Sequence, residues 1–398
     1  TGDINFSDQK SHFNISSGQI GTSTIDMLSG VNGGAFALNE STLTIGANSL
    51  ANSTPTIKMH ALDTINFQGS NTNSISLISF ADYVDNGDGT YTGVNLDYFP
   101  RIVIADNVTA SFNVPSSHTE TEHTSATPKT LTETFNRMQI TGGTNSAIKF
   151  TGSGTLNFDG FADTWQDTND DDIDDTVSPG FSGDIIIAGA TVNLENNNEI
   201  NDSSAVTVES GSLAFGNNSD TISSLTVSGG SVTNGTGTVT ITNSLSVSGG
   251  TVNTGTFDAG SYTLSGGQIN AVLTGSGAVT VSGDTRLGGS NNFTGAVNVN
   301  SGTLRAETAS ALGATSSATT VASGASLHLY NTGSVISFGE NLNLSGTGVS
   351  NSGALQSTGA ITVTGGITMN ADSRIVSNSG STLVLSNTVT GIDGSSGN

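Results

Sequence analysis

The chain has 398 residues, with nine Lys or Arg against 33 Asp or Glu, a formal charge of −24, and no Cys. Such a charge repels phosphate backbones and anionic lipid, which argues against nucleic-acid and peripheral membrane binding. No run approaches the roughly 20 apolar residues of a membrane-spanning helix, and the lack of Cys excludes thiol chemistry.

Hydrophobic residues make up 33% of the chain and charged residues 11%, and the balance is mostly Ser, Thr, Asn and Gly. Ser, Thr and Asn compete with the helical backbone for hydrogen bonds, and Gly costs about 1 kcal/mol per helical position relative to Ala. The composition therefore predicts short strands, many turns and almost no helix. Its bias toward small polar residues, without Cys, suits an exported chain. Thr1-Gly2-Asp3 opens without the basic and apolar regions of a signal peptide, so the chain reads as a processed product or an excerpt.

In chain order, Ser41-Thr42-Leu43-Thr44-Ile45-Gly46, Thr64-Ile65-Asn66-Phe67 and Arg101-Ile102-Val103-Ile104 read as strands. Asp85-Asn86-Gly87-Asp88-Gly89-Thr90-Tyr91 is a turn between strand residues and predicts a hairpin or loop insertion. Residues 115–130, with Pro115 and Pro128, read as a polar excursion. In Ser146-Ala147-Ile148-Lys149-Phe150, Ile148 and Phe150 share one face and Lys149 takes the other. Thr155-Leu156-Asn157-Phe158 is a further strand.

A dense acidic run follows: Asp167-Thr168-Asn169-Asp170-Asp171-Asp172-Ile173-Asp174-Asp175. Between Lys149 and Arg286 no Lys or Arg is present to neutralise it. Asp167, Asn169 and Asp171 fit positions 1, 3 and 5 of a calcium loop, the Ile173 carbonyl fits position 7 and Asp175 position 9. The run resembles the short calcium loops of dockerins and thrombospondin type 3 repeats. It departs from them with Asp172 at position 6 and Ser178 at position 12, and Asp170, Asp172 and Asp174 form a second register. A solvated acidic loop is the competing reading. Asp85, Asn86 and Asp88 form a lesser candidate whose spacing fits a β-turn equally well. His118-Thr119-Glu120-Thr121-Glu122-His123 lacks the His-Glu-x-x-His spacing of a zinc helix and reads as a loop.

All five prolines precede residue 181, as do 21 of the 33 acids, and beyond that point Arg286, Arg305 and Arg374 are the only Lys or Arg. The shift suggests a boundary near 180: a β-rich region over 1–180 with polar insertions, possessing or not possessing the architecture of 181–398. In the second stretch Ser228-Gly229-Gly230 recurs as Ser248-Gly249-Gly250 and Ser265-Gly266-Gly267, at spacings of 20 and 17. Leu225-Thr226-Val227, Leu245-Ser246-Val247 and Tyr262-Thr263-Leu264 precede the copies, and Ser231-Val232-Thr233, Thr251-Val252-Asn253 and Gln268-Ile269-Asn270 follow them. Apolar and small polar residues alternate with period 2 over three to five residues, the half-buried strand pattern. A unit of about 20 residues holding two or three such strands reads as one coil of a solenoid. The predicted fold is all-β, a right-handed parallel β-helix with loop insertions in its N-terminal part. Val, Ile, Leu and Phe face inward, Thr, Ser and Asn outward, and Gly and Asn turn the corners.

Leu287-Gly288-Gly289-Ser290-Asn291-Asn292-Phe293-Thr294-Gly295-Ala296-Val297-Asn298-Val299-Asn300-Ser301-Gly302-Thr303-Leu304, continuing to Ala311-Leu312-Gly313, resembles the autotransporter-associated β-strand repeat. Gly324-Ala325-Ser326-Leu327-His328-Leu329 looks like the strand that closes such a unit. The resemblance implies an extracellular β-helix of the bacterial surface, as in autotransporter passengers and adhesins. No C-terminal translocator barrel accompanies it in this sequence.

The expected function is a non-enzymatic structural or adhesive solenoid with structural calcium. Its expected partners are further copies, other surface proteins or glycans, with no nucleic acid and no membrane insertion by this chain. The alternative is a polysaccharide lyase or glycosidase, which needs paired carboxylates, or calcium with a basic residue, on one face. Asp159, Asp163 and Asp167 supply carboxylates, and Tyr83, Tyr91, Tyr98 and Trp165 could line a groove. An ice-binding surface would need Thr at one position in successive coils, whereas the Thr-x-Thr runs Thr238/Thr240/Thr242 and Thr362/Thr364 do not recur in that way.

Overall fold

The computed structural model describes residues 101–114, 139–158 and 181–391, together with the strands of the first hundred residues. Almost all of its regular structure is extended, and the one helical element among the described residues is a 3-10 turn at Val349–Asn351. Parallel strands stack as a β-solenoid, as the small-polar composition and the period-2 runs predict. The chain divides into two units, Thr1–Ala214 and Phe215–Asn398. The compositional boundary near 180 falls at residues 159–180, outside those described.

In the first unit, His12–Ile15, Thr42–Ile45, Thr64–Phe67, Arg101–Ile104 and Gln139–Gly142 form a parallel ladder in that order. Register places Leu43, Ile65, Ile102 and Ile140 in one column, and these four side chains are fully buried. A second ladder runs through Thr109–Val114, Ala147–Gly152, Asp184–Leu194 and Ala205–Ala214. Ile148 and Phe150 point into the core, and Lys149, on the opposite face, pairs with Glu209 at 2.7 Å. The described residues before 180 thus stack in parallel as the later ones do. The exception is the antiparallel pair Tyr83–Asp85 and Tyr91–Gly93, the hairpin that the Asp85–Tyr91 turn predicts.

In the second unit one inward column runs through nine rungs: Leu225, Leu245, Tyr262, Val279, Val297, Thr319, Leu342, Ile367 and Val389. Another carries Val227, Val247, Leu264, Val281, Val299, Val321 and Leu344. Each rung therefore needs only a few apolar side chains, which accounts for the low hydrophobic fraction. The third residue of each Ser-Gly-Gly copy, Gly230, Gly250 and Gly267, has φ of 66°, 63° and 75°, the left-handed conformation that the corner requires.

One expectation is corrected. The short segments between successive copies do not stay separate but merge into strands Ser231–Val247 and Thr251–Leu264, whereas Ser224–Val227 before the first copy remains its own strand. These strands bend through register shifts at Thr233/Thr238 and Ile241/Ser244, where the pairing skips residues 234–237 and 242–243.

The core carries polar anchors. The Tyr262 hydroxyl accepts the Ala259 N–H at 3.0 Å and directs its proton toward the carbonyls of Thr274 and Phe257, at 2.6 and 3.0 Å. Burial, with a smaller push from Asp258, raises this phenol to about 12, against the opposing backbone hydrogen bonds. Asn291, 3% exposed, accepts the Leu273 N–H at 2.9 Å and donates to the Ala311 carbonyl at 2.7 Å, joining three successive coils.

Glu340 is a buried acid, 2% exposed, whose Oε2 has no hydrogen-bond partner among the described residues. Burial raises its carboxyl above the ordinary 4.5, partly offset by backbone hydrogen bonds at Glu340 and Gly339. The native state thus holds this proton more tightly than the unfolded chain does. The resulting stabilisation is complete below 4.5 and is lost as pH rises through the elevated native value. Glu340→Gln is expected to raise stability at pH 7 by about 1 kcal/mol and to leave it nearly unchanged at pH 4. Thermal unfolding at the two pH values checks this, and an equal shift at both would contradict it.

Candidate functional site

Outward side chains on the strands Gln268–Ile269, Thr285–Leu287, Thr303–Ala306, Ser326–Tyr330 and Leu355–Thr358 meet in one stripe. Register places Gln268, Arg286, Arg305, His328 and Gln356 in a single column. Their inward neighbours Ile269, Leu287, Leu304, Leu327, Leu329 and Leu355 are fully buried, so alternation fixes which way the polar residues point.

The stripe is tied together across coils. Arg286 donates through Nη1 to Gln268 Oε1 at 3.0 Å and pairs through Nη2 with Glu307 Oε2. Arg305 Nε lies 2.7 Å from Glu307 Oε1, a charge contact without hydrogen-bond alignment. The Arg305 guanidinium also lies over the Tyr330 ring, its carbon 3.4 Å from the ring centroid. His328 meets that ring edge-on with centroids 5.8 Å apart, and its Nε2 lies 2.8 Å from Thr358 Oγ1. Asn378 donates to the same hydroxyl at 2.9 Å. At the other end Gln268 donates to Asn270 at 2.9 Å, Asn270 to Asn253 at 3.4 Å and Asn253 to Ser231 at 2.9 Å.

Charge is concentrated here. Beyond residue 180 the chain carries 12 acids and three Arg, and two of those Arg stand in this stripe against Glu307 alone. The Glu307 side chain is 11% exposed, whereas Arg286 and Arg305 are 42% and 36% exposed. The cations therefore face solvent and the acid lies beneath them. Burial, and then the charge of Arg305, hold the His328 ring below its ordinary value against the opposing pull of Glu307, so it is neutral at neutral pH. Arg374 donates to the Asn351 carbonyl at 2.8 Å.

A second outward column is small and uncharged: Thr226, Ser246, Thr263, Thr280, Asn298, Thr320, Asn343, Thr368 and Thr390. The sequence candidate Thr240 instead faces Asp258 on the next rung. The stacked Thr column has Ser244, Ser261 and Ala278 two positions earlier, so it lacks a paired Thr column.

The calcium candidates Asp167, Asn169, Asp171, Ile173 and Asp175 lie outside the described residues, as do Asp159, Asp163, Asn86, Asp88, Tyr98, Trp165 and the His118–His123 segment. Asp85 ends the first strand of the hairpin. Among the described residues no group of three or more His, Asp or Glu is placed to hold a metal ion. None of the described helices is long and apolar enough to cross a membrane.

The stripe was not legible in the sequence, where His328 stands only within the repeat-like strand Gly324–Leu329 and Arg286 and Arg305 only as two of the three cations beyond residue 180. Residues 268, 286, 305 and 328 lie 18, 19 and 23 apart, close to the coil length, and that is the signal that could have joined them. No family model matches the chain, and no curated protein and no solved structure matches it.

Proposed function

We propose that the protein is a non-enzymatic structural and adhesive solenoid of the bacterial surface, acting outside the cell and self-associating with calcium. The observation that carries this reading is the nine-rung inward column from Leu225 to Val389. Every rung pairs with the next, so the unit resists bending and presents its outward residues at a fixed spacing of about 4.8 Å. Such a body suits the display of a repeated surface. The extracellular setting is supported by the repeat-like pattern from Leu287 to Gly313 and by the Cys-free composition.

Calcium belongs to the acidic run, with Asp167, Asn169, Asp171, the Ile173 carbonyl and Asp175 as ligands. Five carboxylates in the six residues 170–175, with no nearby cation in sequence, repel one another unless a divalent ion joins them. Sedimentation of the full chain tests the proposal. Assemblies are expected in calcium, with dissociation in chelator and in Asp171→Asn. A monomer under all conditions counts against self-association. Release of cleaved ends from an acidic polysaccharide would favour the lyase or glycosidase alternative.

A further inference from the structure

We infer that the stripe centred on Arg305 and Tyr330 binds a carboxylate-bearing glycan. Among the described residues, the two terminal nitrogens of Arg305 have no hydrogen-bond acceptor, and the Tyr330 hydroxyl has no partner. The guanidinium is nevertheless held in place: the Tyr330 ring lies against it and the Glu307 charge sits 2.7 Å from its Nε. A guanidinium fixed in this way offers its terminal N–H fork to a carboxylate with little further loss of side-chain freedom.

The flanking chemistry favours a sugar over a protein. Gln268 and Gln356 occupy the same column on either side; Gln268 is engaged by Arg286 and Asn270 and Gln356 donates to Ser352, which leaves each amide its second N–H and a remaining oxygen lone pair for hydroxyl groups. The described residues expose only two large apolar side chains, Val335 and Val384, and neither lies on these strands. A protein interface needs an apolar core from which charges are depleted, and this face has none. A short oligosaccharide senses mainly the local field, because screening acts within about 8 Å at physiological salt. That local field is set by two half-exposed Arg above the covered Glu307, with Asp284 at the edge of the stripe, where it accepts the Thr303 N–H.

The inference deepens the adhesive part of the proposed function and does not require self-association. Calorimetric titration of the full chain with tetragalacturonate tests it, with the neutral galactose tetramer alongside. The acid is expected to bind, more tightly at low ionic strength, and the neutral tetramer at least tenfold more weakly. Arg305→Gln is expected to weaken acid binding at least tenfold, about 1.4 kcal/mol, with an unchanged circular dichroism spectrum. Tyr330→Leu, which removes the platform under the guanidinium, is expected to weaken it several-fold. Arg374→Gln, off the column, is expected to change it less than twofold. Absent binding, equal binding of the neutral tetramer, or unchanged binding in Arg305→Gln overturns the inference. Self-association in calcium that Arg305→Gln abolishes would assign the stripe to a second copy and also overturn it. Failure of the calcium assembly alone, with acid binding intact, would remove the self-association reading and leave this one standing.

Discussion

Asn291→Ala is expected to lower the stability of the Phe215–Asn398 unit by about 2–4 kcal/mol, because it leaves two buried backbone groups without partners. The Leu273 N–H and the Ala311 carbonyl both end on this one amide, in coils on either side of its own. At 3% exposure the site has little room for replacement by solvent. Stacked repeats can lose global cooperativity, so the local readout matters as much as the midpoint of denaturation. The Leu273 amide should exchange its hydrogen faster in the variant, while amides near Leu225 keep their protection. A loss under 1 kcal/mol with unchanged Leu273 exchange would show that the bridge does not hold the coils together.

Gly289→Ala is expected to cost about 3 kcal/mol, whereas Gly324→Ala costs about 1 kcal/mol. The two glycines separate steric demand from conformational demand. A Cβ on Gly289 would overlap the Ala271 carbonyl oxygen in the coil below, and that backbone can move only by opening the ladder. Gly324 has φ of 84° with nothing within 4 Å of an added Cβ, so only the left-handed conformation is penalised. Urea denaturation of both variants checks the order. Equal effects would mean that the coils separate more easily than their close approach implies.

These positions also show what the sequence made legible. Period-2 runs identified inward side chains because burial demands apolar residues at alternate positions: Val239 and Ile241 are buried, as are Val279 and Val281. The Ser-Gly-Gly copies marked corners because few other residues adopt positive φ without strain. The residues of the repeat-like pattern have separate physical roles: Asn291 bridges coils, Gly289 permits close approach and Phe293 packs against Tyr262 at 6.0 Å between ring centroids.

The outward stripe was hidden for a physical reason. Solvent-facing positions carry no hydrophobic signal, so they are joined only through register, and register depends on coil length. Val252 pairs with Ile269, 17 residues on, but Leu329 pairs with Ser357, 28 residues on, across the insertion that holds the 3-10 turn. Coils of unequal length scatter one column across irregular intervals. The acidic run was legible as a composition and a spacing, and its ligand geometry depends on residues outside those described.

Electron micrographs of the purified full chain, first in calcium and then after chelation, test the proposed function most directly. The account predicts an ordered fibre or layer that disperses when calcium is removed and re-forms when it is restored. Dispersed single particles under both conditions would contradict it.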